Sequence, residues 1–387
     1  MSPQPLRIAM IGQKGIPAVY GGVERHVEEI SSRLSSRGHK VTVYCRPYYM
    51  QDNNYDPADT SRTGKTAIRI LPTIKSKHLD AIVHTAVCSM HSLFQEYDIV
   101  HYHAIGPSTL SILPRMTLKK VVATVHGLDW QRQKWNRFAS LYLQFGEWTS
   151  FHFPNKTITV SKSLKQYYEN KYGGAVTYIP NGVNIPSLLP ANTIKEKYGL
   201  EKDSYIVFIS RLVPEKGCHY LVDSYSQITT DKKLVIVGGS SHSDDYVAQL
   251  KQQAKDNKSI IFTGNVYGNE LAELFSNAYC FVLPSELEGL PIVILEALSF
   301  GKCILASDIP ENKEVILPDN SLSYGFTFRN KDTSDLRRTL EFLVQHPEEV
   351  RKMSATTVPY VKATYNWDTI TDQTEALYYS LCSPKGD

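Results

Sequence analysis

Two basic side chains in the second half of the sequence are suited to bind phosphate. The apolar run Tyr205 to Ile209 reads as a strand, Arg211 and Lys216 follow it, and a helix is expected to begin near Cys218. Arginine can hold a phosphate through two parallel hydrogen bonds, and lysine adds a compact positive charge. Because a helix N-terminus also attracts anions, the spacing predicts a phosphate clamp.

Two glutamates flank the start of a helix-sized apolar segment. Between Pro291, the expected first residue of the helix, and Gly301, just past its end, every residue except Glu296 is apolar or small. Such a segment is expected to be buried on all sides. A buried carboxylate is costly unless it is paired or hydrogen-bonded, so Glu296 indicates a ligand or, alternatively, a structural arginine. Glu288 precedes the helix in a loop that can receive an anion.

Glycines in the first half of the chain lie between a predicted strand, Leu6 to Ile11, and a predicted helix. Gly21 and Gly22 end this loop, and a second strand, Lys40 to Cys45, follows the helix. The loop would let a ligand approach the backbone at a helix N-terminus. Its glycine spacing is not that of a dinucleotide site, so NAD is not favoured. A glycine-rich turn without a ligand is the alternative.

Three histidines follow or end the short apolar runs Asp98 to His101 and Val121 to Val125. His101, His103 and His126 are therefore expected at the carboxyl ends of parallel strands, where α/β sheets bind ligands. For His126, contact with a substrate and a purely structural hydrogen bond both remain open. The sequence shows no D-x-D pair and no His/Cys cluster, so no metal is expected, and protein cations would neutralise phosphate.

Basic and aromatic residues interleave between positions 115 and 153. They are Arg115, Lys119, Lys120, Trp130, Arg132, Lys134, Trp135, Arg137, Phe138, Trp148, Phe151 and Phe153. Such a segment can lie on an anionic membrane surface, but an ordinary packed helix with a solvated basic face is the alternative. Nothing else in the chain favours nucleic acid as a partner.

Composition sets the broad class of the protein. The chain has 387 residues, a net charge of +3 and six scattered cysteines, which are expected to be reduced core residues. We expect no signal peptide and no membrane span, and a cytoplasmic location with peripheral contact at the inner face of the cell membrane. A chain of this length is expected to form two domains.

Strands alternate with helices through both halves, which predicts an α/β protein with two Rossmann-like domains that face a central cleft. The further strands are expected at Ile68–Leu71, Lys156–Val160, Tyr178–Ile179, Leu234–Val237, Ile260–Thr263, Ala278–Leu283 and Cys303–Ala306. We place the first domain at 1–190, the second at 191–364, and a closing helical segment at 365–387.

Several of these motifs together resemble the family 4 glycosyltransferases, which have the two-domain GT-B fold. The matching motifs are Gly21-Gly22, His126-Gly127, Pro180-Asn181-Gly182-Val183, Arg211 with Lys216, Thr263-Gly264, and the pair Glu288 and Glu296. The tail resembles the family's closing helix, which crosses back onto the first domain. The N-terminal run further resembles a bacterial subgroup that includes rhamnosyltransferases of polysaccharide assembly. Asn184 departs from the aspartate that many members have there.

The resemblance implies a role for each residue of the second half. Arg211 and Lys216 would bind the donor diphosphate and stabilise it as a leaving group. Glu296 would hold the ribose hydroxyls of the nucleotide. Glu288 would contact the donor sugar, with the backbone N–H groups of Gly289 and Leu290 close to phosphate or sugar; Gly264 completes this donor set.

In the first half, the resemblance implies that Gly21 and Gly22 approach the diphosphate and that His126 contacts the donor sugar near the reacting centre. Members of the family transfer sugar with retention of the anomeric configuration, by front-face attack and without a metal or other cofactor. The donor implied is dTDP-rhamnose or a UDP-hexose. The acceptor implied is a saccharide or a lipid-linked saccharide of surface polysaccharide or cell-envelope glycan assembly.

Three other functions compete with this interpretation. A nucleotide-sugar epimerase can share the architecture and would alter the donor without an acceptor. A glycosidase would use Glu288 and Glu296 as acid and base, but Arg211 and Lys216 would then have no role. A nucleotide-binding protein without activity is the third.

Overall fold

The computed structural model describes residues 4–52, 56, 59–76, 79–132, 135–241, 243–319 and 322–383. The chain forms two compact units. The first unit is Met1–Gly182 with Trp367–Asp387, and the second unit is Val183–Asn366. Lys134 and residues 384–387, which the sequence analysis included in its basic run and closing segment, lie outside the described residues.

The first unit is built on a parallel sheet, which within the described residues has seven strands in the order β3-β2-β1-β4-β5-β6-β7. The strands are β1 Arg7–Ile11, β2 Lys40–Cys45, β3 Ala67–Ile70, β4 Ile99–His103, β5 Lys120–Val125, β6 Lys156–Thr159 and β7 Thr177–Tyr178. The central strands are continuous apolar runs because helices cover both faces of such a sheet.

The helices of the first unit begin with α1, which follows the glycine loop as predicted. They are α1 Gly22–Ser36, α2 Pro47–Asp52, α3 Asp80–Leu93, α4 Ile105–Ser108, α5 Ile112–Met116, α6 Arg137–His152 and α7 Lys162–Tyr172, with a 3₁₀ turn at Asp129–Gln131. The apolar face of α1 is fully buried at Val27, Ile30 and Leu34. The α7 helix begins after its N-cap Ser161, whose hydroxyl accepts a hydrogen bond from the Leu164 N–H.

The second unit contains a parallel sheet whose described strands have the order β10-β9-β8-β11-β12-β13. They are β8 Tyr205–Ile209, β9 Lys233–Val237, β10 Ile260–Gly264, β11 Cys280–Leu283, β12 Cys303–Ser307 and β13 Gly325–Phe328. The helices are α8 Thr193–Tyr198, α9 Cys218–Tyr225, α10 Asp244–Gln253, α11 Gly268–Asn277, α12 Ile292–Ser299, α13 Pro310–Ile316, α14 Thr333–Gln345 and α15 Pro347–Thr364, with a 3₁₀ turn at Pro214–Lys216.

The last helix, α16 at Trp367–Cys382, belongs to the first unit. Trp367, Ile370 and Tyr378 are almost fully buried in the hydrophobic core that also contains residues of α1, β1 and β2. Charged pairs at the surface, such as Arg33 with Asp368 at 2.9 Å, add little because solvent screens them. Apolar burial therefore holds α16 in place.

Both sheets have a topological switch point, where the strand order reverses. It lies between β1 and β4 in the first unit and between β8 and β11 in the second. In open parallel sheets, ligands bind in the crevice outside the carboxyl ends of the two strands at such a point. The loops that follow these four strands are therefore the places to look for a site.

The six cysteines all lie within the described residues and form no disulfide there, and five are buried. This confirms the prediction that they are mostly core residues. In the described part of the chain, no helix has both the length and the apolar character needed to cross a bilayer.

Candidate functional site

In the second unit, the loops after β8 and β11 are joined at the switch point through their backbones. The Glu286 N–H donates a hydrogen bond of 2.9 Å to the Glu215 carbonyl oxygen. A Cβ atom on Gly217 would lie only 2.0 Å from the Pro284 carbonyl oxygen. Only glycine permits this approach, which fixes Lys216, one residue earlier, beside the second loop.

Lys216 and Glu288 meet across these loops as an ion pair. The Lys216 Nζ atom lies 2.5 Å from Glu288 Oε1, and the side chains are only 14% and 9% exposed. The two predicted site residues are 72 positions apart in sequence and yet in direct contact. A pair shielded from water interacts more strongly than one on the surface, so an anionic ligand arriving here meets a cation with a fixed position.

Glu296 is less buried than the sequence predicted. Only part of α12 is buried, including Ile294 and Leu295, whereas Ile292, Val293 and Glu296 are half-buried. The prediction of a helix buried on all sides is therefore wrong, because α12 packs through one face and leaves a stripe partly open. Glu296 lies on that stripe, which lowers the cost of its charge.

The ends of α12 differ slightly from the prediction. Pro291 is the N-cap residue rather than the first helical residue, and Gly301 lies just beyond the C-cap Phe300, as expected. Gly289 is half-buried and Leu290 is buried, immediately before the helix N-terminus. Their position suits the predicted backbone contact with an anion.

Arg211 and Gly264 lie at the same carboxyl edge of the sheet. Arg211 is exposed two residues after β8. Gly264 ends β10, and its carbonyl accepts a hydrogen bond of 2.8 Å from the Gly238 N–H after β9. Because β9 lies between β8 and β10, the structure puts Gly264 on the same edge of the sheet as Lys216 and Glu288.

The residue that braces the β11 loop was not among the predicted site residues. Glu286 accepts hydrogen bonds from the Tyr220 hydroxyl at 2.7 Å and from Lys331 Nζ at 2.8 Å. Beneath the loop, the Ser307 hydroxyl donates to the Ser285 carbonyl. No local signal distinguishes Glu286 from Glu288, because the difference lies in the distant partners that the fold supplies.

In the first unit, Gly21 and Gly22 are exposed at the N-terminus of α1, as predicted. A glutamate of the same helix already interacts with this loop. The Glu24 carboxylate accepts a 3.0 Å hydrogen bond from the Lys14 N–H, and it lies so close to Gly21 that a Cβ there would be 2.1 Å from Glu24 Oε2. Any anion that binds the loop must be arranged around this negative charge.

Histidines from three elements converge at the switch point of the first unit. His103 ends β4, His126 follows β5, and His26 lies on the first turns of α1. Their potential ligand nitrogens all lie within 4.8 Å of one another, and His103 Nδ1 is 3.3 Å from His126 Nε2. The prediction that the chain has no His/Cys cluster is therefore wrong, because the cluster forms only when separate segments meet.

His101 does not join this group through its polar atoms. It lies inside β4, where its Nδ1 contacts the Tyr378 hydroxyl at 2.6 Å and its Nε2 contacts the Thr124 hydroxyl at 2.7 Å. Both nitrogens are thus engaged, so its expected place at a strand end is corrected to a structural one in the core. Burial lowers the pKa of His101 to about 3, and the nearby His26 acts in the same direction.

His26 was also not among the predicted site residues. Its Nδ1 lies 3.0 Å from Asn181 Oδ1, in the Pro180-Asn181-Gly182 motif. Burial lowers the pKa of His26 to about 4, although the Asn181 contact acts against this. Burial also holds the pKa of His103 and His126 well below 6.5, with neighbouring imidazoles adding to the effect. All three rings are therefore neutral near pH 7.

The basic and aromatic run separates into a buried part and an exposed stripe. Trp130 donates to the fully buried Glu147, which also accepts a hydrogen bond from Lys171. On α6, four apolar side chains at helical spacing remain exposed: Phe138 at 82%, Leu141 at 54%, Phe145 at 52% and Trp148 at 42%. The run is thus neither a wholly packed helix nor a uniformly basic surface.

Each half of the chain matches a family model of glycosyltransferases. Residues 20–186 match the family model described as Glycosyltransferase Family 4, and residues 191–357 match the model described as Glycosyl transferases group 1. A GDP-mannose-dependent alpha-(1-6)-phosphatidylinositol monomannoside mannosyltransferase from Mycobacterium tuberculosis is 26% identical over 381 residues, which are 92% of this chain and 93% of that protein.

Solved structures share the fold over nearly the whole chain. Sucrose-phosphate synthase from Thermosynechococcus elongatus aligns with a TM-score of 0.80 and 22% identity, over 97% of this chain and 99% of that one. Anabaena HepE in complex with UDP-glucose aligns with a TM-score of 0.79 and 17% identity, over 97% and 100% of the two chains. The fold is thus of the GT-B type, and the chain belongs to the glycosyltransferases, with a family 4 domain followed by a group 1 domain.

Proposed function

We propose that this glycosyltransferase moves a sugar from a nucleotide-diphosphate donor to a saccharide or lipid-linked saccharide during the assembly of surface polysaccharide or cell-envelope glycan. The observation that carries the proposal is the Lys216–Glu288 pair at the β8/β11 switch point. It combines a fixed cation, suited to a diphosphate, with a carboxylate, suited to sugar hydroxyls. HepE, which shares the fold, was solved with UDP-glucose.

Lys216 and Arg211 neutralise the diphosphate as the bond to the sugar breaks. Negative charge grows on the leaving group in that step, so a cation that is already in place lowers the barrier without reorganising. Glu288 accepts hydrogen bonds from the sugar while it orients Lys216, and Glu296 accepts them from the ribose hydroxyls. Gly264, Gly289 and Leu290 supply backbone contacts to the donor.

In the first unit, Gly21 and Gly22 leave room for the diphosphate, and His126 contacts the donor sugar as a neutral imidazole. Transfer proceeds with retention, by front-face attack in which a donor phosphate oxygen helps to take the acceptor proton. Neither a metal nor another cofactor takes part. The protein contributes orientation and charge stabilisation.

The donor proposed is dTDP-rhamnose or a UDP-hexose, in line with the likeness to the rhamnosyltransferase-like subgroup. The relative from M. tuberculosis uses GDP-mannose by its name, so the base and the sugar need direct measurement. A thermal-shift screen with UDP-, GDP-, dTDP- and ADP-sugars measures this, because a ligand raises the melting temperature of the state that it binds. Incubation with the donor alone tests the epimerase alternative, which predicts an altered sugar nucleotide without an acceptor.

The site itself is tested by two substitutions. Lys216→Met and Glu288→Gln are each expected to lower the transfer rate by about 100-fold or more, because the first removes a preorganised cation and the second removes the carboxylate that orients this cation. The measurement is steady-state transfer with the donor that the screen identifies. Lys251→Met on α10 and Glu348→Gln on α15 are matched controls on other helices.

Circular dichroism and thermal melting must show that all four variants fold. Folded Lys216→Met and Glu288→Gln proteins that transfer sugar as fast as the wild type would rule out this assignment.

The exposed stripe of α6 supports an acceptor held at a membrane. Phe138, Leu141, Phe145 and Trp148 present an apolar face, and the exposed Arg137 begins the helix. A helix of this kind lies in the interface with its apolar face among the lipids and its cations near anionic headgroups. We propose that the protein is cytoplasmic and contacts the inner face of the cell membrane in this way.

Co-sedimentation with liposomes tests the membrane contact. The variant carrying both Phe138→Ser and Phe145→Ser is expected to lose most binding to vesicles that contain anionic lipid, and wild-type binding is expected to weaken as salt is added. The control is Leu188→Ser, which removes an apolar side chain of the second unit that is 65% exposed. Binding that neither salt nor the double substitution reduces contradicts the proposal.

A further inference from the structure

We propose that His26, His103 and His126 form a binding site for a transition-metal ion of the Zn²⁺ class, separate from any need of the transfer reaction. The three side chains come from α1, β4 and the loop after β5, and their potential ligand nitrogens lie within 4.8 Å of one another. Imidazole nitrogens suit Zn²⁺, Co²⁺, Ni²⁺ and Cu²⁺.

The spacing of the best-placed pair agrees with tetrahedral coordination. Zn–N bonds of 2.0–2.1 Å hold two nitrogens of a tetrahedral site about 3.3 Å apart. His103 Nδ1 and His126 Nε2 are 3.3 Å apart. The remaining nitrogen–nitrogen distances are at most 4.8 Å, so they must shorten by up to about 1.5 Å to reach the tetrahedral spacing, which rotation of the side chains can supply.

The hydrogen bonds around the cluster distinguish the three proposed ligands from the neighbouring His101. His101 uses both ring nitrogens in short contacts with Tyr378 and Thr124. His103 is fully buried, yet its Nε2 atom has no hydrogen-bond partner among the described residues. Among the described residues, the hydrogen-bonding contact of His103 Nδ1 is with His126 itself. A metal ion between these rings would therefore displace no hydrogen bond from His103 to a residue outside the cluster.

One ring nitrogen of His26 is held by Asn181, and the other is left for a metal. If Nδ1–H donates to Asn181 Oδ1, 3.0 Å away, the lone pair of Nε2 is left for a metal. Such an outer hydrogen bond usually fixes the tautomer of a metal-binding histidine. The same contact gives the Pro180-Asn181-Gly182 motif a concrete function as the support of this ring.

The site has an accessible side. His26 and His103 are buried, whereas His126 is half-buried. Three histidines are the ligand set of zinc sites that keep a fourth position for water or substrate. A metal there would occupy His126, which under the proposed function contacts the donor sugar, so metal binding is expected to inhibit transfer; this consequence alone rests on the proposed function.

Binding is tested with the full, tag-free protein after treatment with a chelator. Titration with Co²⁺ is expected to produce the intense visible absorption of tetrahedral cobalt, and equilibrium dialysis with Zn²⁺ is expected to give one ion per chain. His26→Gln and His126→Gln are each expected to weaken Zn²⁺ binding at least tenfold. His152→Gln, which removes an exposed imidazole of α6, is expected to leave it unchanged.

The variants must be folded by circular dichroism, and His126→Gln, at the half-buried position, guards against a failure of the buried His26 variant to fold. Absence of the cobalt band, or equal Zn²⁺ affinity in the wild type and both folded variants, overturns the site. A separate assay of wild-type transfer against Zn²⁺ tests the coupling. One result is that Zn²⁺ binds with the expected dependence on the histidines and still leaves the transfer rate unchanged. That result would overturn the role of the metal as an inhibitor, and it would count against His126 as a contact of the donor sugar.

Discussion

Gly217 shows how one backbone position can determine the place of a functional side chain. It adopts φ +68° and lies against the Pro284 carbonyl, and the neighbouring Lys216 is thereby set beside Glu288. The sequence suggested a cation on one loop and a carboxylate on another. It did not suggest that they pair, since that depends on how closely the two backbones approach.

Two glycine substitutions distinguish the effect of this close approach from the general cost in stability of a side chain at positive φ. Gly217→Ala is expected to displace the loop and to lower transfer at least tenfold, because its Cβ would meet the Pro284 carbonyl oxygen at 2.0 Å. Gly268→Ala, at φ +60° with no atom within 4 Å of the added Cβ, should cost only about 1 kcal/mol of stability. Thermal melting and transfer rates provide the measurement.

Two results would contradict this account of Gly217. One is a Gly217→Ala protein with wild-type transfer, and the other is equal loss of activity in both variants. The first would show that the loops can separate without harm, and the second that strain at positive φ alone is responsible.

Other residues show where reasoning from residue type fails. Glu296 was expected on a fully buried helix, but its stripe of α12 is partly open. His26 escaped notice because a histidine on a helix carries no signal until Asn181, His103 and His126 surround it. In both cases the missing information was the packing partner, which lies far away in sequence.

At the scale of elements, most strands were predictable because buried parallel strands are short apolar runs. The predicted β2 and β8 have the bounds of the structure, Lys40–Cys45 and Tyr205–Ile209. The strand β13, Gly325–Phe328, was not predicted. Its sequence, GFTF, alternates small or polar residues with aromatic ones, so it lacks the continuous apolar pattern of the central strands. The strand lies at one end of the sheet order.

Lys302 links two elements of the second unit and gives a prediction about pH. Its ammonium donates to the carbonyls of Ser276, at 2.7 Å, and Ala278, at 3.0 Å, at the C-terminal end of α11. Burial lowers the pKa of Lys302 to about 8, although Asp203 acts in the opposite direction. The lysine of an unfolded chain has a pKa near 10.4.

Between about pH 8 and pH 10.4, the unfolded chain therefore holds this proton more often than the folded protein does. Below pH 8 both states are protonated, so Lys302 adds no pH dependence there. As pH rises above 8, it should increase the free energy of unfolding by up to about 1.4 kcal/mol per pH unit. Lys302→Met is expected to lack this contribution.

The measurement is urea unfolding followed by circular dichroism at pH 7.5, 8.5 and 9.5. The free energies of unfolding of wild type and variant are subtracted at each pH, which cancels the contributions of the other titrating groups. Lys251→Met, at an exposed position of α10, is the matched control. If wild type and Lys302→Met change in parallel over this range, the lysine titrates alike in both states and the assignment is wrong.

At the scale of the whole molecule, alternating strands and helices predicted two parallel α/β domains, and the structure confirms both. The strand orders could not be read from the sequence, because an alternating pattern does not say on which side of the sheet each new strand is added. The switch points, and hence the meeting of Lys216 with Glu288, follow from those orders.

The boundary between the units also differs from the prediction. The sequence analysis placed it between residues 190 and 191, whereas the second unit begins at Val183. The chain instead passes from one unit to the other at Gly182 and returns after Asn366. Where the chain crosses between the units, the Val183 N–H donates a 2.8 Å hydrogen bond to the Tyr365 carbonyl. These residues are far apart in sequence, so no local pattern predicts that they pair.

The return of α16 to the first unit has a consequence for synthesis on the ribosome. The core of that unit needs Trp367, Ile370 and Tyr378, which are translated only after all of Val183–Asn366. The second unit is continuous in sequence and can fold as soon as it has emerged, since domains generally fold as units during translation. The unit whose translation begins first is therefore the last to acquire its complete core.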